Sequence, residues 1–335
     1  MRPGLLYIGN RLSRHGSTAT AIEILGPLLE REGFPVHYAS SKKNKLLRFA
    51  DMLAAVWRFG RSSDYVLIDT YSTQNFWYAV FVARLCRILG LRYIPILHGG
   101  NLPRRLASDK SACKKLFGGA YLNVAPSPYL GKAFTEAGFS VMCIPNPFDA
   151  GKFPFRPRAS FSPKLLWVRS LAPIYNPMMA LEALKILSVK HPDAKLCMVG
   201  PDRGLQPELD DFARRNGLNV RFAGKLSQAQ WAALSREYDI FLNTSTTDNS
   251  PFSLIEAASL GLAIVSTDVG GIPYFFENGK QAALVPSGDS RCMADVVSGL
   301  VSDSGKTTAM VAAARGTALR SDWPEVRAKW LEILR

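Results

Sequence analysis

Short apolar runs punctuate the chain at regular intervals, with helical stretches between them. The first half carries Leu5–Ile8, Val36–Ala39, Tyr65–Ile68, Tyr93–Leu97, Tyr121–Val124 and Val141–Ile144. The second carries Leu165–Val168, Lys195–Val199, Val220–Phe222, Ile240–Asn243, Ala263–Ser266 and Ala283–Val285. Strands alternating with helices predict parallel sheets covered on both faces. The pattern therefore predicts an α/β chain with two doubly wound, Rossmann-like domains, over residues 1–155 and 156–322, facing a central cleft. A segment rich in Pro and Arg, Lys152–Pro163 (KFPFRPRASFSP), reads as the linker. The closing segment, Trp323–Arg335, is amphipathic. Ligands of such sheets bind outside the carboxyl ends of the strands.

Within the second domain, one stretch concentrates the chemistry: TSTTDNSPFSLIEAASLGLAIVSTDVGGIPYFFENGKQAALVPSGD, from Thr244 to Asp289. It reads as loop, helix, strand, Gly-rich turn, short helix, strand. Pro251 suits the first helical position, with Ser250 or Asn249 before it as N-cap, and Gly261 suits the position just past the helix end. Glu256 lies among Leu254, Ile255, Ala257 and Ala258, where an unpartnered carboxylate is costly. Asp248 precedes it with seven residues between. Two acids beside the amides of a helix start suit a ligand offering hydroxyls and a phosphate. The plainer reading makes Glu256 a cap for a neighbouring loop and Asp248 a turn residue.

In the first domain, Gly9–Thr20 joins the first strand to the first helix, and His15, Gly16 and Ser17 are placed there to approach a phosphate or an acceptor. His98 closes the fourth strand and is followed by two glycines that permit close approach of a ligand. His37 and His191 read as structural.

Length and composition bound these readings. A chain of 335 residues with 47% apolar content suits two globular domains. Five scattered cysteines, with no C-x-x-C pair, argue for a reducing compartment and against a disulfide framework or zinc site. The start, MRPGLLYIGN, reads as a strand rather than a signal peptide, and Arg84, Arg87 and Arg92 interrupt the longest apolar region. The expected location is cytoplasmic.

Charge changes the picture most. Residues 1–150 hold 19 Lys and Arg against 9 Asp and Glu, a balance of +10, whereas the rest holds 22 against 18, or +4. No nucleic-acid signature accompanies the excess, so anionic membranes or substrates are the expected partners and nucleic acid is not. In Lys42–Arg61, Leu46, Phe49, Ala50, Leu53, Val56 and Trp57 recur at helical spacing, with Lys42, Lys43, Lys45, Arg48, Arg58 and Arg61 crowding the ends. Two readings stand: a core helix with a solvated basic rim, or an interfacial helix on anionic lipid at the inner face of the cell membrane.

The D-x7-E spacing of Asp248 and Glu256, with the S-T-D-V-G-G-I-P run after the next strand, resembles the donor-site signature of retaining GT-B glycosyltransferases of family 4, where E-x7-E is commoner. The resemblance implies a nucleotide-sugar donor held by the second domain and a glycan or lipid-linked acceptor entering from the first. It implies that Glu256 accepts the ribose hydroxyls, Asp248 holds the sugar and His98 positions the reacting hydroxyl. Arg169 matches the family's diphosphate arginine, but no lysine follows: Ile174, Tyr175, Asn176 and Pro177 occupy the expected region. Gly200, Lys225 and Leu226 fall on loops that border the base in relatives, and Asn249, Phe252, Ser253 and Leu254 at the helix start face the diphosphate. No metal or other cofactor is implied, and the final helix is expected to pack back on the first domain. Two other readings remain open: a nucleotide-sugar hydrolase or epimerase, and a silent subunit that positions a partner enzyme.

Overall fold

The computed structural model describes residues 2–13 and 20–335. The chain divides into two compact units, Met1–Phe148 with Trp323–Arg335, and Asp149–Asp322. Unit 1 runs β1 (Leu5–Ile8), α1 (Ala21–Arg31), β2 (Val36–Ala39), α2 (Lys45–Phe59), β3 (Tyr65–Tyr71), α3 (Asn75–Ile88), β4 (Tyr93–His98), α4 (Leu102–Ser108), α5 (Lys110–Phe117), β5 (Asn123–Ala125), α6 (Pro128–Glu136) and β6 (Val141–Cys143). Unit 2 runs β7 (Lys164–Val168), α7 (Pro177–Lys190), β8 (Lys195–Val199), α8 (Gln206–Arg215), β9 (Val220–Gly224), α9 (Gln228–Leu234), β10 (Ile240–Asn243), α10 (Phe252–Ser259), β11 (Ala263–Thr267), α11 (Ile272–Phe275), β12 (Ala283–Val285), α12 (Ser290–Ser302) and α13 (Ser304–Leu319). The last helix, α14 (Trp323–Ile333), returns to unit 1.

Each unit is built on one six-stranded parallel sheet, ordered β2-β1-β3-β4-β5-β6 in unit 1 and β12-β11-β10-β7-β8-β9 in unit 2. Every residue of β1, β4, β10 and β11 is buried, as strands covered on both faces require. In unit 1, one face is covered by α2, α3, α5 and α6 through Met52, Phe76, Phe117 and Phe134. The other is covered by α1 and α14, whose Val326, Trp330 and Ile333, with Leu334 just past the helix, join Leu5, Tyr7 and Leu25 in the core. In both sheets the chain reverses its direction of growth, between β1 and β3 in unit 1 and between β7 and β10 at the centre of unit 2. Crevices at these switch points are where such sheets bind ligands.

Three expectations need correction. The boundary falls after Phe148, not after residue 155, because the Pro- and Arg-rich segment is fastened to unit 2 rather than strung as a linker. Arg158 is 7% exposed; it pairs with Asp239 at 3.2 Å and donates to the carbonyls of Tyr238, Ser235, Leu260 and Gly261. Second, α10 starts at Phe252, so Pro251 is itself the N-cap and neither Ser250 nor Asn249 caps the helix by a side chain. Gly261 does follow the helix end, at φ +77°, where a Cβ would lie 2.6 Å from the Arg156 carbonyl. Third, β3 continues past Ile68 through Asp69 and Thr70, both buried, to Tyr71.

Candidate active site

The residues that matter in unit 2 follow the carboxyl ends of its central strands. Arg169 leaves β7, and Asp248 lies in the loop after β10, the neighbour of β7 across the switch point. Their side chains form an ion pair, largely buried on both sides. Tyr175 lies beneath the guanidinium, 5.1 Å from ring centroid to Cζ, a cation–π contact in the region that lacks the lysine. Tyr175 is itself held by its carbonyl, which accepts from the Thr244 hydroxyl at 2.7 Å, while that hydroxyl receives the Trp167 indole N–H at 2.9 Å. Asn176 follows at φ +40° and leads into Pro177 at the first position of α7.

Glu256, half-buried on α10, finds its partner in Gln228 at the start of α9, whose Nε2 donates to Oε1 at 2.7 Å. Desolvation pushes the Glu256 carboxyl up to about 7, against the Gln228 hydrogen bond and the Arg169 charge, which pull it down. Gln228 was not foreseen; the Ser227–Gln230 capping box that fixes its helix start is the sequence signal that could have drawn attention to it. The loop leading to Gln228 carries Lys225, exposed, and Leu226, half-buried.

Two glycine positions shape this site. A Cβ on Gly270 would sit 2.1 Å from the Asp248 carbonyl oxygen, and one on Gly271 2.0 Å from that of Asn249. The Gly271 amide donates to the Asp248 carbonyl at 2.7 Å. The Gly-Gly turn is thus the bed on which the Asp248 loop lies. Gly200 makes a similar close approach to the Arg169 backbone, at φ +150°.

Among the described residues, two buried polar atoms of this site have no partner: Arg169 Nε and Ser253 Oγ. Buried donors are ordinarily satisfied, and this unmatched pair lies in the same stretch of unit 2 as the two acids. The amides at the helix start are less available than expected. Phe252 N–H donates to the Ser250 carbonyl and Leu254 N–H to that of Pro251, and the Leu254 side chain is fully in the core. Asn249 is buried at 8% exposure.

In unit 1, His98 is also buried, at 8% exposure, and its Nε2 lies 2.9 Å from Asp69 Oδ1. The same oxygen accepts from the Tyr7 hydroxyl at 3.1 Å. A carboxylate on Nε2 fixes that nitrogen as the protonated one and leaves Nδ1 as the acceptor. Burial, followed by the Asp69 charge, raises the Tyr7 hydroxyl well above its ordinary range, so it stays a donor. Among the described residues Asp69 Oδ2 has no partner, and Gly9 is required beside it, since a Cβ there would approach it to 2.5 Å. Tyr7, Asp69 and His98 come from β1, β3 and β4, next to the switch point of unit 1. His15, Gly16 and Ser17 lie outside the described residues.

Arg48 departs from expectation. It is not part of a solvated basic rim but 6% exposed, donating to the carbonyls of Lys42 and Lys43 and to Asn10 Oδ1. Lys42, Lys43, Lys45, Arg58 and Arg61 are exposed, as are Leu46, Leu47 and Trp57. Among the described residues, no helix is long and apolar enough to cross a membrane.

Residues 162–303 match the family model described as "Glycosyl transferases group 1". A phosphatidyl-myo-inositol mannosyltransferase of Mycolicibacterium smegmatis is 28% identical over 202 residues, covering 58% of this chain and 52% of the relative. A D-inositol 3-phosphate glycosyltransferase of Corynebacterium urealyticum is 26% identical over 177 residues, 50% of this chain and 42% of that one. The matched part is about half the length of these curated relatives. Among solved structures, HepE of Anabaena in complex with UDP has a TM-score of 0.78 at 22% identity, covering 99% of both chains. Sucrose-phosphate synthase of Thermosynechococcus elongatus reaches 0.79 at 13% identity, over 99% of this chain and 98% of that one. The segment that builds the Arg169, Asp248 and Glu256 site lies within the part of the chain that matches the group 1 glycosyl transferase model, and the fold of the whole chain is that of GT-B glycosyltransferases.

Proposed function

We propose that the protein transfers a sugar from a nucleotide-sugar donor to a glycan or lipid-linked acceptor, with retention of anomeric configuration. The observation that carries this reading is the convergence of Arg169, Asp248 and Glu256 at the switch point of unit 2, beside two orphaned buried donors. Glu256 accepts the ribose hydroxyls once its proton is lost. Arg169 keeps Asp248 through its terminal nitrogen and offers Nε–H to the diphosphate. A preorganised donor of this kind is worth about 3 kcal/mol to a departing oxyanion. The Asp248 carboxylate orders the arginine first and meets the sugar second, because its Oδ2 is already engaged. His98, held by Asp69, presents Nδ1 to the reacting hydroxyl. We read the chemistry as independent of a metal ion, with Arg169 opposing the phosphate charge.

The relatives named for phosphatidyl-myo-inositol and inositol phosphate support an acceptor that carries phosphate or lipid. The exposed lysines of Lys42–Arg61, with Leu46, Leu47 and Trp57 beside them, support attachment of α2 to the inner face of the cell membrane. One observation favours the silent-subunit reading: the arginine meant for the diphosphate is paired internally and no lysine accompanies it. Release of free nucleotide from a panel of nucleotide sugars, with and without acceptor, separates the readings. Acceptor-dependent release with a retained anomer by NMR supports transfer, acceptor-independent release means hydrolysis, and no release with any donor bound means a silent subunit.

A further inference from the structure

On the helix layer of unit 1, α3 and α5 enclose a groove of about 980 Å³. Its floor is apolar: Trp77, Val80 and Phe81 of α3, with Ala112 of α5 opposite. Trp77 and Phe81 are 43% and 44% exposed, unusual for large aromatic side chains that could have packed inward. Around that floor stand four cations, Arg84, Arg87, Lys110 and Lys115. The lining has one carboxylate, Asp109, which is neutralised by Arg105 at 2.6 Å. Arg87 is fixed by the Tyr93 hydroxyl and the Lys115 carbonyl. Arg84, Lys110 and Lys115 make no ion pair among the described residues.

Exposed aromatic surface and uncompensated like charge are both unfavourable, and a single class of occupant relieves both: an anion with an apolar tail. A nucleic acid would meet the charges and stack on Trp77 and Phe81. It would leave the aliphatic surface nearby uncovered, namely Leu46 and Leu47 on α2 and Ile88 on α3, exposed at 79%, 61% and 70%. Acyl chains cover such surface. The groove is continuous with α2 through Phe49, whose ring packs on Phe81 at 5.4 Å and on Tyr78 at 5.5 Å. We propose that this groove seats one anionic membrane phospholipid, its phosphate among Arg84, Lys110 and Lys115 and its upper acyl chain on Trp77, Val80 and Phe81. The seat is a discrete site, distinct from diffuse attraction of the α2 lysines to a charged bilayer, and it stands whether or not the protein transfers sugar.

The experiment uses the full chain and two probes: short-chain phosphatidylglycerol below its micelle concentration, and vesicles of phosphatidylcholine with or without phosphatidylglycerol. Saturable, one-to-one binding of the soluble lipid by calorimetry is expected, and inorganic phosphate at the same concentration should not replace it. Arg84→Gln/Lys110→Gln/Lys115→Gln removes exposed charges without breaking an ion pair, and should weaken vesicle binding roughly a hundredfold. Ala112→Phe keeps every charge and fills the floor; it should abolish the saturable site while leaving salt-sensitive vesicle attraction in place. Unchanged lipid binding in a folded Ala112→Phe protein, competition by free phosphate as strong as by lipid, or equal binding to neutral and anionic vesicles would each overturn the proposal.

Discussion

Glu256 ties acid–base behaviour to ligand binding through a single side chain. Its ordinary value is 4.5 and burial lifts it to about 7, so between those pH values the folded protein holds a proton that the unfolded chain has released. Stability therefore falls as pH rises from 4.5 to 7 and levels off above. Glu256→Gln removes this loss and should melt at or above the wild-type temperature at pH 8. Binding shows the opposite trend, because hydroxyl donors favour the carboxylate. Affinity for a nucleotide sugar, whose diphosphate diester does not titrate in this range, should climb by up to about tenfold per pH unit below 7 and then flatten. In Glu256→Gln the affinity should be weaker by on the order of 1.5–3 kcal/mol and indifferent to pH; calorimetric titration from pH 5.5 to 8.5 tests both. A second residue-level expectation concerns Asp69. Asp69→Asn keeps the volume but loses the carboxylate that fixes the His98 tautomer, and should lower transfer roughly a hundredfold with nucleotide affinity intact. Nothing in the sequence marks Asp69. It follows the apolar run Tyr65–Ile68 and reads as the residue that ends a strand, since a strand-ending acid and a buried, bonded one look alike until the neighbouring strands are in place.

Elements were more legible than single side chains, for a physical reason. Strands covered on both faces must be apolar throughout, so each of the twelve predicted runs overlaps an observed strand. At β3, β4 and β11 the strand runs past its predicted end into buried polar residues, Asp69 and Thr70, His98 and Thr267. The helical period of Lys42–Arg61 predicts α2, but the period cannot say which cation turns inward, and Arg48, read with the exposed cations, is buried. The Gly-Gly run was legible as a motif; its task, supporting the Asp248 loop, needed the backbone distances. Gly270→Ala adds strain at φ +57° and a clash with the Asp248 carbonyl, and Gly271→Ala a clash with that of Asn249. Each should cost about 1–3 kcal/mol of stability and displace Asp248, so that nucleotide affinity falls as well. Gly299→Ala, in the interior of α12 with nothing within 4 Å of its Cβ, is the control and should stabilise by about 0.5–1 kcal/mol. Thermal melts with and without nucleotide distinguish loss of the loop from loss of the fold.

At the scale of the whole molecule, the division into two units follows packing, not composition. Proline and arginine made residues 152–163 resemble a linker, yet Arg158 is among the most thoroughly bonded side chains of unit 2. Arg158→Met should leave Asp239 as a buried unpaired acid and cost about 3–5 kcal/mol, seen as a lowered transition for unit 2 alone in calorimetry. Removal of Trp323–Arg335 should act on the other unit, exposing the core face that Val326, Trp330, Ile333 and Leu334 cover.

That return of α14 to unit 1 has a consequence for how the chain is born. Unit 2 is continuous in sequence, so it has all its parts once Asp322 has left the ribosome. Unit 1 is made first, but the face of its sheet that α1 and α14 share lacks the α14 half of its cover while the next 174 residues, Asp149 to Asp322, are synthesised. Through that interval the core around Leu5 and Tyr7 lacks Val326, Trp330, Ile333 and Leu334, and its apolar surface is open to whatever meets the nascent chain. Protection of this face by a chaperone until α14 is made should therefore raise the yield of folded protein, whereas slower synthesis of residues 149–322 should lower it.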